Sequence, residues 1–142
     1  LAGGFAQARW VMLVGLVGRE HVVVSGDDAQ VRLALLRQGE LVGTVAIAPA
    51  GVPLAEVAQP GEVEFRFMAV APHAWRQGIA QALLEAVIAR AGDQALVCSV
   101  IEGNEPAAQL YLAHGFTPVA SRDHEPVPGV HLRVFVRPAS SP

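Results

Sequence analysis

The sequence holds a single cysteine, Cys98, so no intramolecular disulfide framework can form, and that usage fits a reducing cytosol. Charge is scarce at 16% of residues, against 52% hydrophobic, and the formal net charge is only -3. Such a composition excludes disorder. It offers no basic patch either, which argues against nucleic acid as a partner. Two phosphate-binding signatures are missing: no Gly-Lys-Ser/Thr loop occurs, and no G-x-G-x-x-G follows a strand. The five histidines (His21, His73, His114, His124, His131) are scattered without metal-ligand spacing, so no metal is expected. The run "WVMLVGLVG" (10–18) is too short to span a bilayer and no cleavage site follows it, so it reads as a helix or strand on the core, with no membrane partner. The chain starts at Leu1 rather than a methionine, which points to residues missing or trimmed upstream. Repeats, low-complexity tracts and linkers are absent, and 142 residues suit one domain.

What is present is an ordered alternation of strands and helices. Residues 29–49 form two apolar segments around "RQGE", a β-hairpin pattern. "AGVPLAEVAQPG" (50–61) reads as a loop, and "EVEFRFMAV" (62–70) as a strand. Strict alternation would put Glu62, Glu64, Arg66, Met68 and Val70 on one face and Val63, Phe65, Phe67 and Ala69 on the other. A helix runs from about Gly78 to Ala91, with Gln81 and Glu85 marking its wet side. "ALVCSVI" (95–101) is a strand, and Cys98 within it reads as a small core residue. A short helix follows, with Pro106 in its first turn and Gly115 past its end. "FTPVA" (116–120) and "VHLRVFVRP" (130–138) are the last strands, with a loop between them. The class is mixed α/β, an α+β layered arrangement around one β-α-β unit.

Two stretches carry chemistry. "WRQGIA" places Arg76 and Gly78 at a strand-to-helix junction, where a helix start leaves amides without partners and its dipole favours an anion. Gly78 removes a Cβ where a phosphate would approach the backbone. In "NEPAAQLYLAHGF", Asn104 can cap the short helix, and Tyr111 shares a face with Ala107 and Ala108, two small residues that leave room for something slender.

These stretches resemble the two motifs of the GNAT superfamily of acetyl-CoA-dependent N-acetyltransferases. The first stands here as "MAVAP" followed by "WRQGIA"; the second as Asn104, Ala107, Leu110, Tyr111, Gly115 and Phe116. The resemblance covers roughly residues 29–138 and implies a mixed, mostly antiparallel sheet with a β-α-β coenzyme-binding unit and flanking helices. It implies a single acetyltransferase domain over 1–142, with 1–28 an atypical or shortened N-terminal part. It also implies acetyl-CoA as co-substrate and an amine acceptor, without a metal. On the family's pattern, Trp75, Arg76, Gln77, Gly78, Ile79 and Ala80 hold the diphosphate, and Met68, Ala69 and Val70 pair with the pantetheine arm. Asn104, Ala107 and Tyr111 complete the coenzyme site. Tyr111 is similar in place to the general acid for the departing thiolate, and Glu64, with Glu62 competing, to the base. Trp75 stands where the family has Arg or Gln, and Arg76 where a glycine is common. Some ribosomal-protein N-terminal acetyltransferases carry a glutamate at the place of Ser99. The resulting expectation is a cytoplasmic enzyme acetylating a primary amine of a small molecule or protein, with room for a homodimer. The rival is a weak or inactive domain of the same shape that binds acyl-CoA or a partner.

Overall fold

The computed structural model describes residues 11–13, 20–27 and 29–140. Among the described residues nine strands make one sheet: β1 (Val11–Leu13), β2 (Glu20–Gly26), β3 (Val31–Arg37), β4 (Glu40–Pro49), β5 (Glu62–Val70), β6 (Ala95–Ile101), β7 (Thr117–Pro118), β8 (His124–Val127) and β9 (Val130–Arg137). The order across the sheet is β1-β2-β3-β4-β5-β6-β9-β7, with β8 also on β9. Every pairing is antiparallel except β5 with β6. Helices α1 (Ile79–Ala91) and α2 (Glu105–Ala113) connect through β6. The mixed, mostly antiparallel sheet with one β-α-β unit matches the architecture expected from sequence.

The two ends of the chain add detail to the pattern read from sequence. Of the apolar run 10–18, only 11–13 is described, as β1; the rest lies outside the described residues. The N-terminal part also contributes β2, whose last residue, Gly26, pairs with Val31 at the start of β3. Asp27 Oδ1 holds the turn between them by accepting from the amides of Ala29 and Gln30 at 2.9 and 3.1 Å. Near the C-terminus, the segment expected as a loop contains β8, because Val127 and His124 find partners on β9. The strand expected over 116–120 is only Thr117–Pro118.

The core fills one face of the sheet. Leu33, Leu35, Val45, Phe65, Leu96 and Phe135 meet Ile79, Leu83, Leu84 and Val87 of α1, with Ala108 and Tyr111 of α2 beside them. Gly43 lets α1 come this close: a Cβ there would lie 2.8 Å from Ile79 Cγ2 and 2.9 Å from Leu83 Cδ1. The wet edge of α1 is as expected, with Gln81 Nε2 donating to Glu85 Oε1 at 3.0 Å. No helix among the described residues is long and apolar enough to cross a membrane.

Candidate active site: a fork in the sheet beside an open helix start

Strands β5 and β6 pair only over Glu62–Ala95, Val63–Leu96 and Glu64–Val97. Both continue past that point, β5 to Val70 and β6 to Ile101, without facing partners. The sheet therefore forks. Its two prongs are tied on their outer sides, β5 to β4 and β6 to β9, so beyond the last pair their inner edges have no strand partner.

A bulge shapes the β5 prong. Ala46 pairs with Arg66 and Thr44 with Ala69, so Phe67 and Met68 together oppose Val45. Phe67 takes a left-handed φ of 57° to allow it. The extra residue shifts the side-chain phase, and this corrects the face assignment from strict alternation. Val63 and Phe65 are core residues, and after the bulge it is Met68 and Val70 that pack against the core. Glu64 lies on the opposite face from them. Alternation misses this because a bulge leaves no mark in hydropathy.

At the tip of the β5 prong the chain makes a short 3-10 turn, Pro72–Ala74, and enters the helix junction. Arg76 and Gly78 both have left-handed φ, 63° and 81°. The first intrahelical bond runs from Ala82 N to Gly78 O, at 3.0 Å. Among the described residues, the amides of 76–81 donate to no protein acceptor. Trp75, Arg76, Gln77 and Gly78 are exposed, Ile79 is buried and Ala80 half-buried. Side chains brace the loop from outside it: Arg37 donates to Gln77 Oε1, Gln77 Nε2 to His73 O at 3.1 Å, and His73 Nε2 lies 3.0 Å from Glu40 Oε1. Gly78 has a reason within the chain besides the one read in the sequence. A Cβ there would meet no protein atom within 4 Å, so the backbone angle, not crowding within the chain, selects glycine.

Helix α2 brings the second motif to the base of the fork. Asn104 Oδ1 accepts from Ala107 N at 3.4 Å, the cap expected of it. Tyr111 is 7% exposed and packs edge-on against Phe65, the first β5 residue beyond the last β6 pair, with ring centroids 5.5 Å apart. Among the described residues nothing hydrogen-bonds its hydroxyl. Burial, and then the neighbouring Cys98, push the phenol well above its ordinary value. Ala108 is 3% exposed and belongs to the core, so it leaves no free space; Ala107 is only partly buried. Cys98 is buried, and burial followed by the charge of Glu64 pushes its thiol up, which suits a core residue.

The two acidic candidates are already engaged. Glu64 is 2% exposed, and its Oε1 accepts from the amides of Glu56, Val57 and Ala58 at 2.8, 2.7 and 2.9 Å. Its Oε2 lies 3.7 Å from Arg66 Nε. Glu62 is gripped by Arg122, whose Nη1 and Nη2 donate at 2.9 and 2.8 Å, and by the amide of Gln59. Burial alone would raise the Glu62 carboxyl; the Arg122 and Gln59 contacts outweigh it and hold the carboxyl below its ordinary value. Arg122 also donates to Val57 O at 2.6 Å. Sequence reading missed Arg122, because a contact across sixty positions has no local signal. It also missed Gly43, whose signal was there: a lone glycine inside an apolar strand marks a close approach. Among the described residues no group of three or more His, Cys, Asp or Glu side chains could hold a metal ion.

Against known proteins, the sequence pattern of the Acetyltransferase (GNAT) family matches residues 15–116. The structure is similar to the ribosomal-protein-S18-alanine N-acetyltransferase of Escherichia coli, with a TM-score of 0.64 and 22% identity over 82% of this chain and 74% of that one. A GNAT-family acetyltransferase of Streptococcus pneumoniae gives 0.60 and 21%, over 78% and 68%. Arabidopsis thaliana NAA60 in complex with a bisubstrate analogue gives 0.57 and 22%, over 76% and 73%. At these identities the likeness is one of fold. No curated protein matches significantly.

Proposed function

Because this chain belongs to the acetyltransferase (GNAT) family of acyltransferases, whose members use acetyl-CoA or acyl-CoA as co-substrate, we propose that it moves an acetyl group from acetyl-CoA to a primary amine. The observation that carries this reading is the fork between β5 and β6 opening beside the bare amides of 76–81. The diphosphate takes those amides, at the positive end of α1. The pantetheine arm lies in the fork against the open edge of Met68, Ala69 and Val70, and the thioester reaches toward Tyr111.

In the reaction the neutral amine attacks the thioester carbonyl carbon. The carbon–nitrogen bond forms, the carbon–sulfur bond breaks, and the sulfur takes the phenolic proton of Tyr111. Burial keeps that phenol protonated at neutral pH, in its donating form. The amine's surplus proton passes to solvent, and the Tyr111 phenolate takes a proton back from solvent as the products leave. Glu64 is buried and its Oε1 already holds three amides, so its assigned role is to fix the 50–61 loop.

Calorimetry with acetyl-CoA tests the binding half. Coenzyme at about 100 times its dissociation constant should add roughly 2.7 kcal/mol to folding stability. A melting temperature indifferent to acetyl-CoA and to CoA rejects the reading. Thiol release with a panel of primary amines tests the chemistry. The sequence contains no lysine, so self-acetylation on lysine cannot contaminate that assay. Tyr111→Phe should lower kcat roughly 10- to 1000-fold with little change in coenzyme affinity.

A further inference from the structure

Trp75 is 61% exposed, although an indole is among the side chains that gain most from burial. Its orientation is nevertheless set. Nε1 donates to the carbonyl of Val70 at 2.7 Å. Val70 is the last residue of β5 and pairs with Gly43 on the outer side of the prong. Arg76, next to Trp75, begins the run of open amides. The indole is therefore fastened at the corner where the inner edge of the fork ends and the bare helix start begins. Capping a carbonyl explains the N–H, but not why so much of the ring is left in water.

A molecule with a diphosphate on the amides of 76–81 and a chain in the fork is covalently continuous, so it must turn this corner. In coenzyme A the stretch leaving the diphosphate is a gem-dimethyl carbon segment, apolar and bulky, and the amides come after it. An indole face complements that segment, whereas an arginine or glutamine side chain would offer a donor to the phosphates instead. We propose that Trp75 is a coenzyme-binding residue of a different kind from its neighbours. Its exposed face is the wall against which the first, apolar part of the pantetheine arm packs, while its N–H withdraws the Val70 carbonyl from pairing with the arm. The inference rests on the acetyl-CoA reading above.

The test separates the two halves of the coenzyme. The ligands are CoA and 3′-phosphoadenosine 5′-diphosphate, which ends at the diphosphate. The sequence has two tryptophans, so Trp10→Phe leaves Trp75 as the only indole. In that background CoA should shift Trp75 emission saturably and the nucleotide half should not. By calorimetry, Trp75→Ala should weaken CoA about tenfold while leaving the nucleotide half within about twofold, and Trp75→Phe should recover most of the loss. Retained nucleotide binding also certifies that the variant is folded. Equal losses for both ligands, or no loss for either, overturn the inference and leave acetyl-CoA binding standing. Native protein that binds neither CoA nor acetyl-CoA overturns it together with the reading it rests on.

Discussion

Two loops of this molecule gather backbone N–H groups, and they differ in where the matching negative charge comes from. In the loop before β5, the amides of 55–59 all have protein acceptors: Val52 O takes one, Glu64 takes three and Glu62 takes one. In the junction after β5, the amides of 76–81 have none. The same strand separates them, and the same physics applies, since a run of N–H groups makes a concave site for an anion. One site is filled by the chain's own carboxylate and behaves as structure. The other is bare at the end of a helix, and a ligand is what would fill it. An open amide becomes informative only beside a closed one.

The comparison is broken most severely by removing the internal anion. Glu64→Ala leaves three part-buried amides without their acceptor, and stability should fall by about 3 kcal/mol in urea unfolding, with acetyl-CoA affinity nearly unchanged in protein that folds. Glu64→Gln sharpens it. If Glu64 is a base, slow turnover recovers at high pH, where the amine is already neutral; a carboxylate that only holds the loop shows no such recovery.

Next is the seat of the open site. Gly43→Ala would push Ile79 and Leu83 away from β4 and should cost about 1–3 kcal/mol by thermal or urea unfolding. Because Ile79 begins α1, acetyl-CoA affinity should fall as well, which Glu64→Ala should not cause. Gly78→Glu reverses that pattern. It should weaken acetyl-CoA by at least about tenfold, or 1.4 kcal/mol, through charge and bulk at the diphosphate, and leave the 50–61 loop as it was. Unchanged affinity in folded protein would sink the diphosphate assignment.

The smallest effect reports the closed loop through pH. The carboxyl of Glu62 is lowered in the folded state, so its contribution is fully present above its ordinary value of 4.5. It is lost as pH falls through the lower folded value, where protonation releases Arg122. Arg122→Met should cost about 1 kcal/mol at neutral pH, and the gap from native protein should close in that acidic window. A gap that stays constant with pH would mean that Arg122 acts through packing alone.

Much of this was legible in the sequence, for local reasons. Strand β5 and strand β6 stand where their hydrophobic runs put them, and Asn104 caps α2 as its side chain and position require. The helix junction was readable because glycine and a missing acceptor are properties of neighbouring residues. What escaped depends on distance or on counting. Glu64 was read as a candidate base, and nothing local announces that 56–58 fold back over it. The bulge at Phe67 inverted the far half of β5 because one extra residue alters phase without altering composition. Strand β8 hid among charged residues and prolines, held by its pairing with β9 rather than by its own propensity.

The open space around Gly78 leads somewhere else. With no protein atom within 4 Å of the missing Cβ and a φ of 81°, the chain objects there to handedness rather than to size. A mirror-image alanine introduced by chemical ligation would adopt that angle without strain, and would narrow the conformations of the unfolded chain besides. Position 78 is therefore a place where chirality alone can be varied. The two enantiomers would separate the demands of the backbone from those of whatever lies above it.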